Sequence, residues 1–197
     1  MLRAPLKNSV TRIITPLAKF FLRIGITANA MTVVGAIGSW VSSLYFFTKG
    51  ELFLGTLVVT IFLLSDLFDG TMARLSGDSG TKFGALLDST LDRISDAVLV
   101  MALVIWAIET ESSLVPAFLI ALITGFLISY IRARAESLGI TCDQGIAERP
   151  ERLIVLLTGV GFYGLGFDFA LNLSLIILLL INLITIWQRV RIVYRAS

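Results

Sequence analysis

Four carboxylates stand at the ends of long apolar runs, and that placement restricts what the chain can become. The stretch reads Asp66-Leu-Phe-Asp69-Gly70-Thr-Met-Ala73-Arg74, then nine residues, then Gly84-Ala-Leu-Leu-Asp88-Ser-Thr-Leu-Asp92. Charge beside membrane-length hydrophobic segments is costly and marks function. Asp66 and Asp69 are three apart and Gly70 is four from Asp66, so all three share one helical face. Gly84, Asp88 and Asp92 repeat every four and make a second stripe. Two helices facing each other across a hairpin bring the four carboxylates to one spot. Like charges that close do not all ionise unless a cation sits between them. An all-oxygen ligand set selects a hard cation such as Mg²⁺ or Mn²⁺.

The rest of the chain agrees with a membrane setting. It has 197 residues and is 56% hydrophobic, against about 45–50% for soluble domains. A spanning helix takes about 20 residues. The expected fold is an all-α integral membrane protein of one domain, residues 1–197, with six transmembrane helices and an N-terminal amphipathic interfacial helix. The one cysteine, Cys142, excludes an intrachain disulfide. Histidine is absent, so a general base must be a carboxylate. There are no internal repeats, which separates the chain from inverted-repeat transporters, and no nucleic-acid partner is expected.

Residues 1–27 read as a basic juxtamembrane helix and not as a cleavable leader. Apolar residues from Leu6 to Ile24 recur at three and four, with Lys7, Arg12, Lys19 and Arg23 between them. Pro16 is expected to kink it. Thr27 or Asn29 can cap the helix that follows. The spans are expected at about Thr32–Phe47, Leu52–Ala73, Phe83–Ile108, Leu114–Tyr130, Pro150–Tyr163 and Phe169–Trp187. Lys49-Gly50-Glu51 reads as a turn, residues 75–83 and 137–147 as polar loops, and Gly161, Gly164 and Gly166 as marking a further turn. Asp96 extends the second acidic stripe by one turn and reads as a buried, hydrogen-bonded structural acid.

Cations fix the sidedness. They precede the first span, lie at the second-to-third and fourth-to-fifth connections, and follow the sixth span; only Lys49 falls on the other side. The positive-inside rule puts both termini and the aspartates in the cytoplasm, and the expected location is the bacterial inner membrane.

The spacing D-x2-D-G-x2-A-R, then G-x3-D-x3-D, resembles the signature of the CDP-alcohol phosphatidyltransferases, and every fixed position is present. Asn29 and Thr32 are similar to the family's turn before its first span. The resemblance implies that Asp66, Asp69, Asp88 and Asp92 hold the metal and that Asp92 accepts the proton of the attacking hydroxyl, a role that calls for a partly raised pKa. It implies that Asn29, Ala30, Met31, Thr32, Gly70, Ala73, Arg74 and Thr81 hold the CDP part of the donor, CDP-diacylglycerol. Gly70 lets the donor approach the backbone, or serves helix packing. Arg74 suits bidentate pairing with phosphate. A homodimer is also implied.

A second basic cluster bears on the acceptor. Arg132 and Arg134 end the fourth span, Arg149 and Arg152 open the fifth helix, and Arg189 follows the sixth. Arginines on one cavity rim indicate a substrate with its own phosphate; Arg191 and Arg195 read as an anionic-lipid patch. The segments Ser129–Glu136 and Glu148–Leu153 resemble those of actinobacterial-type phosphatidylinositol phosphate synthases. That resemblance implies myo-inositol 1-phosphate as acceptor, held by Arg132, Arg152 and Arg189. Glycerol 3-phosphate, a phosphorylated alcohol of the same chemistry, is the alternative. A divalent-cation transporter is the alternative of another class, and it would need acids near mid-membrane.

Overall fold

The computed structural model describes residues 15–75 and 81–196; for Asp66, Leu67, Asp69, Ala73 and Arg74 it describes the backbone only. The first half of the juxtamembrane segment and most of the polar loop after Leu75 lie outside the described residues, and with them the backbone needed to judge a kink at Pro16.

The regular structure is helical: α1 (15–23), α2 (Ala28–Ser42) running into a π-helical turn (Ser43–Phe47), α3 (Leu52–Leu63), α4 (Ser65–Leu75), α5 (Lys82–Glu109), α6 (Val115–Ser137), α7 (Arg149–Gly164) and α8 (Asp168–Ala196). Three of these stretches, Ala28–Phe47, Val115–Ser137 and Asp168–Ala196, are long and apolar enough to cross a bilayer. Large apolar side chains point outward on helix after helix, among them Ile61 at 67%, Ile123 at 63% and Phe169 at 66% exposure. A soluble fold does not expose apolar surface on that scale; a lipid-facing one does. The chain is an all-α membrane protein.

Two sequence expectations change. The segment Leu52–Ala73 is not one helix but two, broken at Leu64. The break falls where a helix without charged residues gives way to the polar Ser65-Asp66 start of α4. Gly161 and Gly164 do not mark a turn; both lie inside α7. A Cβ on Gly164 would overlap the backbone of Phe53, and one on Gly161 would press on Thr56, so these glycines serve close helix approach. Only Gly166 sits in the turn, at φ 95°. The same αL ending closes α1 at Gly25, the π turn at Gly50 and α6 at Gly139. In each, the next residue's N–H reaches back five residues, as in Ile26 to Phe21 O (3.0 Å) and Ile140 to Ala135 O (3.0 Å).

The chain forms two compact units. The first comprises residues up to Ser42 and Val58–Ser95. Here α1 buries Ala18 against Met72 of α4, with Phe21, Leu22, Met31 and Phe68 around them. Lys19 and Arg23 of α1 are exposed, as are Leu17, Phe20 and Ile24, so this helix shows both a basic and an apolar outer face. α2 crosses α4 so closely that a Cβ on Gly35 would strike Ser65 Oγ. Trp40 donates from Nε1 to Ser95 Oγ at 2.8 Å, tying α2 to α5.

The second unit comprises Ser43–Leu57 and residues from Asp96 onward. α7 lies on α8 with Gly159 directly over Ser174. Asn182 of α8 donates to Thr124 Oγ1 of α6 at 2.8 Å, and Trp106 meets Tyr163 edge-on with centroids 5.4 Å apart.

Candidate active site

In the first unit, the N-terminus of α2 and the N-terminus of α5 meet. Thr27 caps α2, its Oγ1 accepting from Ala30 N–H at 3.2 Å, which leaves Asn29 outside the cap. Thr81 caps α5, its Oγ1 accepting from Gly84 N–H at 3.0 Å. The Asn29 amide lies over Gly84, whose missing Cβ would stand 3.2 Å from both Asn29 Oδ1 and Thr81 Oγ1. Gly84 is thus the contact that seats the α2 turn on the start of the acidic helix. The structure therefore brings Asn29, Thr81 and Gly84 together.

The neighbouring expected donor contacts divide. Ala30 is exposed beside Asn29. Met31 packs inward against the Ala18–Met72 cluster, and Thr32 is buried with its hydroxyl donated to Ala28 O at 3.1 Å. Gly70 is exposed, and among the described residues a Cβ there would meet nothing within 4 Å. No helix packing among the described residues calls for that glycine.

Asp88 and Asp92 share one face of α5 with Gly84. Asp88 is exposed and Asp92 half-buried. Arg93, absent from the sequence-based site, places Nη2 3.9 Å from Asp92 Oδ2. On α4 the helical backbone keeps Asp66 and Asp69 three apart, followed by Gly70, Ala73 and Arg74. The side chains of Asp66, Asp69, Ala73 and Arg74 lie outside the described residues, and among the described residues no three metal-ligating side chains cluster. The aspartates of the two stripes would offer carboxylate oxygens alone, which fits a hard divalent cation.

The second unit holds the arginines. Arg132 is exposed and paired with Glu136 at 2.9 Å, one turn on. Arg152 is buried in the first turns of α7. Arg189 is buried on α8; its Nε donates to Gln144 O at 3.1 Å and its Nη1 to Ile128 O at 2.7 Å. The loop before α7 is stitched to α8 at further points: Ile146 N–H to Gln188 Oε1 at 3.0 Å and Ala147 N–H to Thr185 Oγ1 at 3.3 Å. Arg149, grouped with these arginines by sequence reasoning, donates from Nε to Asp96 Oδ1 at 3.0 Å. Asp96 is hydrogen-bonded as the stripe predicts, but half-buried and not fully buried. Arg191 stacks over Trp187 at 4.9 Å from the ring centroid, on the outer surface.

The model of the family described as CDP-alcohol phosphatidyltransferase matches residues 25–190. The chain belongs to the CDP-alcohol phosphatidyltransferase family. As a transferase of this family it is divalent-metal dependent. It is similar to the phosphatidylinositol phosphate synthases of Mycobacterium tuberculosis strain H37Rv, 44% identical over 95% of this chain and 88% of the relative, and of Mycobacteroides abscessus, 42% identical over 95% and 86%. The crystal structure of the M. tuberculosis synthase with CDP-DAG bound superposes on the transferase with a TM-score of 0.86, covering 93% of this chain and 94% of that one. The same synthase has been solved with manganese and citrate, at a TM-score of 0.85, covering 92% of this chain and 88% of that one.

Proposed function

We propose that this transferase moves the phosphatidyl group of CDP-diacylglycerol onto myo-inositol 1-phosphate, giving phosphatidylinositol phosphate and CMP. The observation that carries the reading is the match, at 44% identity over 93% of the chain, to a phosphatidylinositol phosphate synthase with CDP-DAG bound. The family match runs through both compact units, which supports reading residues 1–197 as one catalytic domain.

In this reading Asp66, Asp69, Asp88 and Asp92 hold Mg²⁺, with Mn²⁺ able to replace it. A bound divalent ion supplies Lewis-acid polarisation of the phosphates and offsets their repulsion by the carboxylates. Asn29, Ala30, Met31, Thr32, Gly70, Ala73, Arg74 and Thr81 hold the donor. The seating of Asn29 and Thr81 about Gly84 and the open flank of Gly70 support this set. Asp92 takes the proton of the acceptor hydroxyl. The acceptor oxygen bonds to the lipid-side phosphorus, the bond to CMP breaks, and the phosphodiester lipid forms. Arg132, Arg152 and Arg189 hold the acceptor phosphate; all three belong to one unit and gather near the α6–α7 connection or the α8 segment stitched to it.

The proposed membrane arrangement has six spans and an N-terminal interfacial helix; the distribution of cations supports placing both termini and the aspartates on the cytoplasmic side of the bacterial inner membrane, and the family resemblance supports a homodimer. A cysteine placed at Ser112 should label from outside intact cells and one at Ser79 should not; the reverse pattern overturns the topology. The acceptor is tested in membranes with CDP-diacylglycerol and labelled inositol phosphate, glycerol phosphate, serine or inositol offered separately. Lipid product from inositol phosphate alone is expected. Faster product from glycerol phosphate would replace the acceptor.

A further inference from the structure

Asp96 and Arg149 belong to neither the metal set nor the acceptor set, yet they form an ion pair well inside the protein. Arg149 Nε lies 3.0 Å from Asp96 Oδ1, and the two side chains are only 13% and 17% exposed. The pair borders a cavity of about 40 Å³ between α5, α6, α7 and α8. Leu99, Leu153, Leu156 and Leu178 form much of its wall, with Arg152 and Asn182 among its polar lining. At this wall the two charges face one another.

A charge desolvated by such walls is tolerated while its partner is present and strongly disfavoured when the partner is removed. The pairing therefore fixes a geometry. Arg149 is the first residue of α7, and Arg152 follows three residues later on the same helical face. Holding Arg149 to Asp96 sets the rotation of the first turn of α7, and with it the direction of the Arg152 guanidinium.

We infer that Asp96 and Arg149 are a positioning pair that orients Arg152 for the acceptor phosphate. The inference rests on the proposed acceptor role of Arg152. Kinetics of the full-length enzyme in detergent, with thermal unfolding followed in parallel, test it on Asp96→Asn, Arg149→Gln, the double Asp96→Asn/Arg149→Gln, Arg149→Lys and Arg152→Gln. Each neutralising single variant should raise the acceptor KM about tenfold and leave the CDP-diacylglycerol KM within about twofold, a coupling of the size contacting residues show. The double variant carries no unpaired buried charge, and Asn and Gln can still hydrogen-bond, so it should recover to within about threefold of wild type. Where Arg149→Gln does not accumulate in membranes, Arg149→Lys, which keeps the charge but not the planar donor, carries the same comparison with a smaller rise in acceptor KM. A double variant no better than Arg149→Gln would make Arg149 a substrate ligand and overturn the pair. Equal losses for both substrates, tracking a lower Tm, would reduce the pair to a general structural contact. If Arg152→Gln raises the acceptor KM and Arg149→Gln does not, the pair alone fails. If Arg152→Gln leaves the acceptor KM at the wild-type value, the acceptor reading fails, and the role of the pair fails with it.

Discussion

In the unit carrying the aspartates, Asn29, Gly70, Thr81 and Asp88 are exposed and Asp92 is half-buried, with only Met31 and Thr32 of the described expected site residues turned inward. The unit carrying the arginines draws two of its three expected ligands inward, with Arg152 at 7% and Arg189 at 3% exposure. The difference follows from the side chains. Short carboxylates and glycines on helix ends have little freedom to lose, so a backbone in the right phase nearly suffices. An arginine has many rotamers, and holding it ready for a ligand requires other groups to fix it first. The carbonyls of Gln144 and Ile128 do this for Arg189, and Glu136 does it at the surface for Arg132.

The contrast is most exposed to failure on the aspartate side. Excess EDTA should reduce turnover to background, and added Mg²⁺ or Mn²⁺ should restore it; full turnover in EDTA would remove the metal from the chemistry. Asp92→Asn should lower kcat by roughly 10²–10⁴, the usual worth of a general base, while labelled CDP-diacylglycerol still binds. Turnover within a few-fold of wild type would assign the base elsewhere.

On the arginine side the effects should be smaller and confined to one substrate. Arg152→Gln should cost roughly ten- to a hundredfold in kcat/KM for the acceptor, the worth of a charged hydrogen bond of about 1.5–3 kcal/mol, with donor KM nearly unchanged. A defect confined to the lipid substrate would move Arg152 to the donor site. Gly70→Ala separates stability from activity: the position is helical and open, so Tm should hold or rise by the equivalent of about 0.5–1 kcal/mol. The KM for CDP-diacylglycerol should rise several-fold. A lower Tm with unchanged KM would make Gly70 a packing residue after all. Arg191→Gln, at a side chain stacked on Trp187 at the surface, should leave all kinetic constants within about twofold; a tenfold loss would extend the acceptor site along α8.

Much of this contrast was legible in the residues and part of it was not. Most of the helices, the turn at Gly50 and the acidic stripe of α5 follow from local spacing, and so did Asp96 as a hydrogen-bonded acid. The partner of Asp96 did not, because Arg149 is 53 residues away and only tertiary packing joins them. Gly161 and Gly164 misled for a related reason. A glycine that admits a neighbouring helix and one that permits a turn read alike until the neighbour is known. The break at Leu64 was hidden because the apolar run continues up to it without a Gly or Pro to mark an end. Arg189 reads in sequence as an acceptor-phosphate ligand, and its bonds to backbone carbonyls leave no trace in composition.

The stitching of the α6–α7 loop to α8 has a consequence for how the sequence can drift. At Gln144, Ile146 and Ala147 the loop contributes main-chain N–H and C=O groups, whereas Thr185, Gln188 and Arg189 contribute side chains. A main-chain group survives most replacements at its own position. The exposed Gln144 and Ile146 can therefore change their letters while the loop keeps its shape, whereas Gly145, where a Cβ would strike Thr185, and the buried Ala147 cannot; much of the record of that shape is written on a different helix some forty residues downstream.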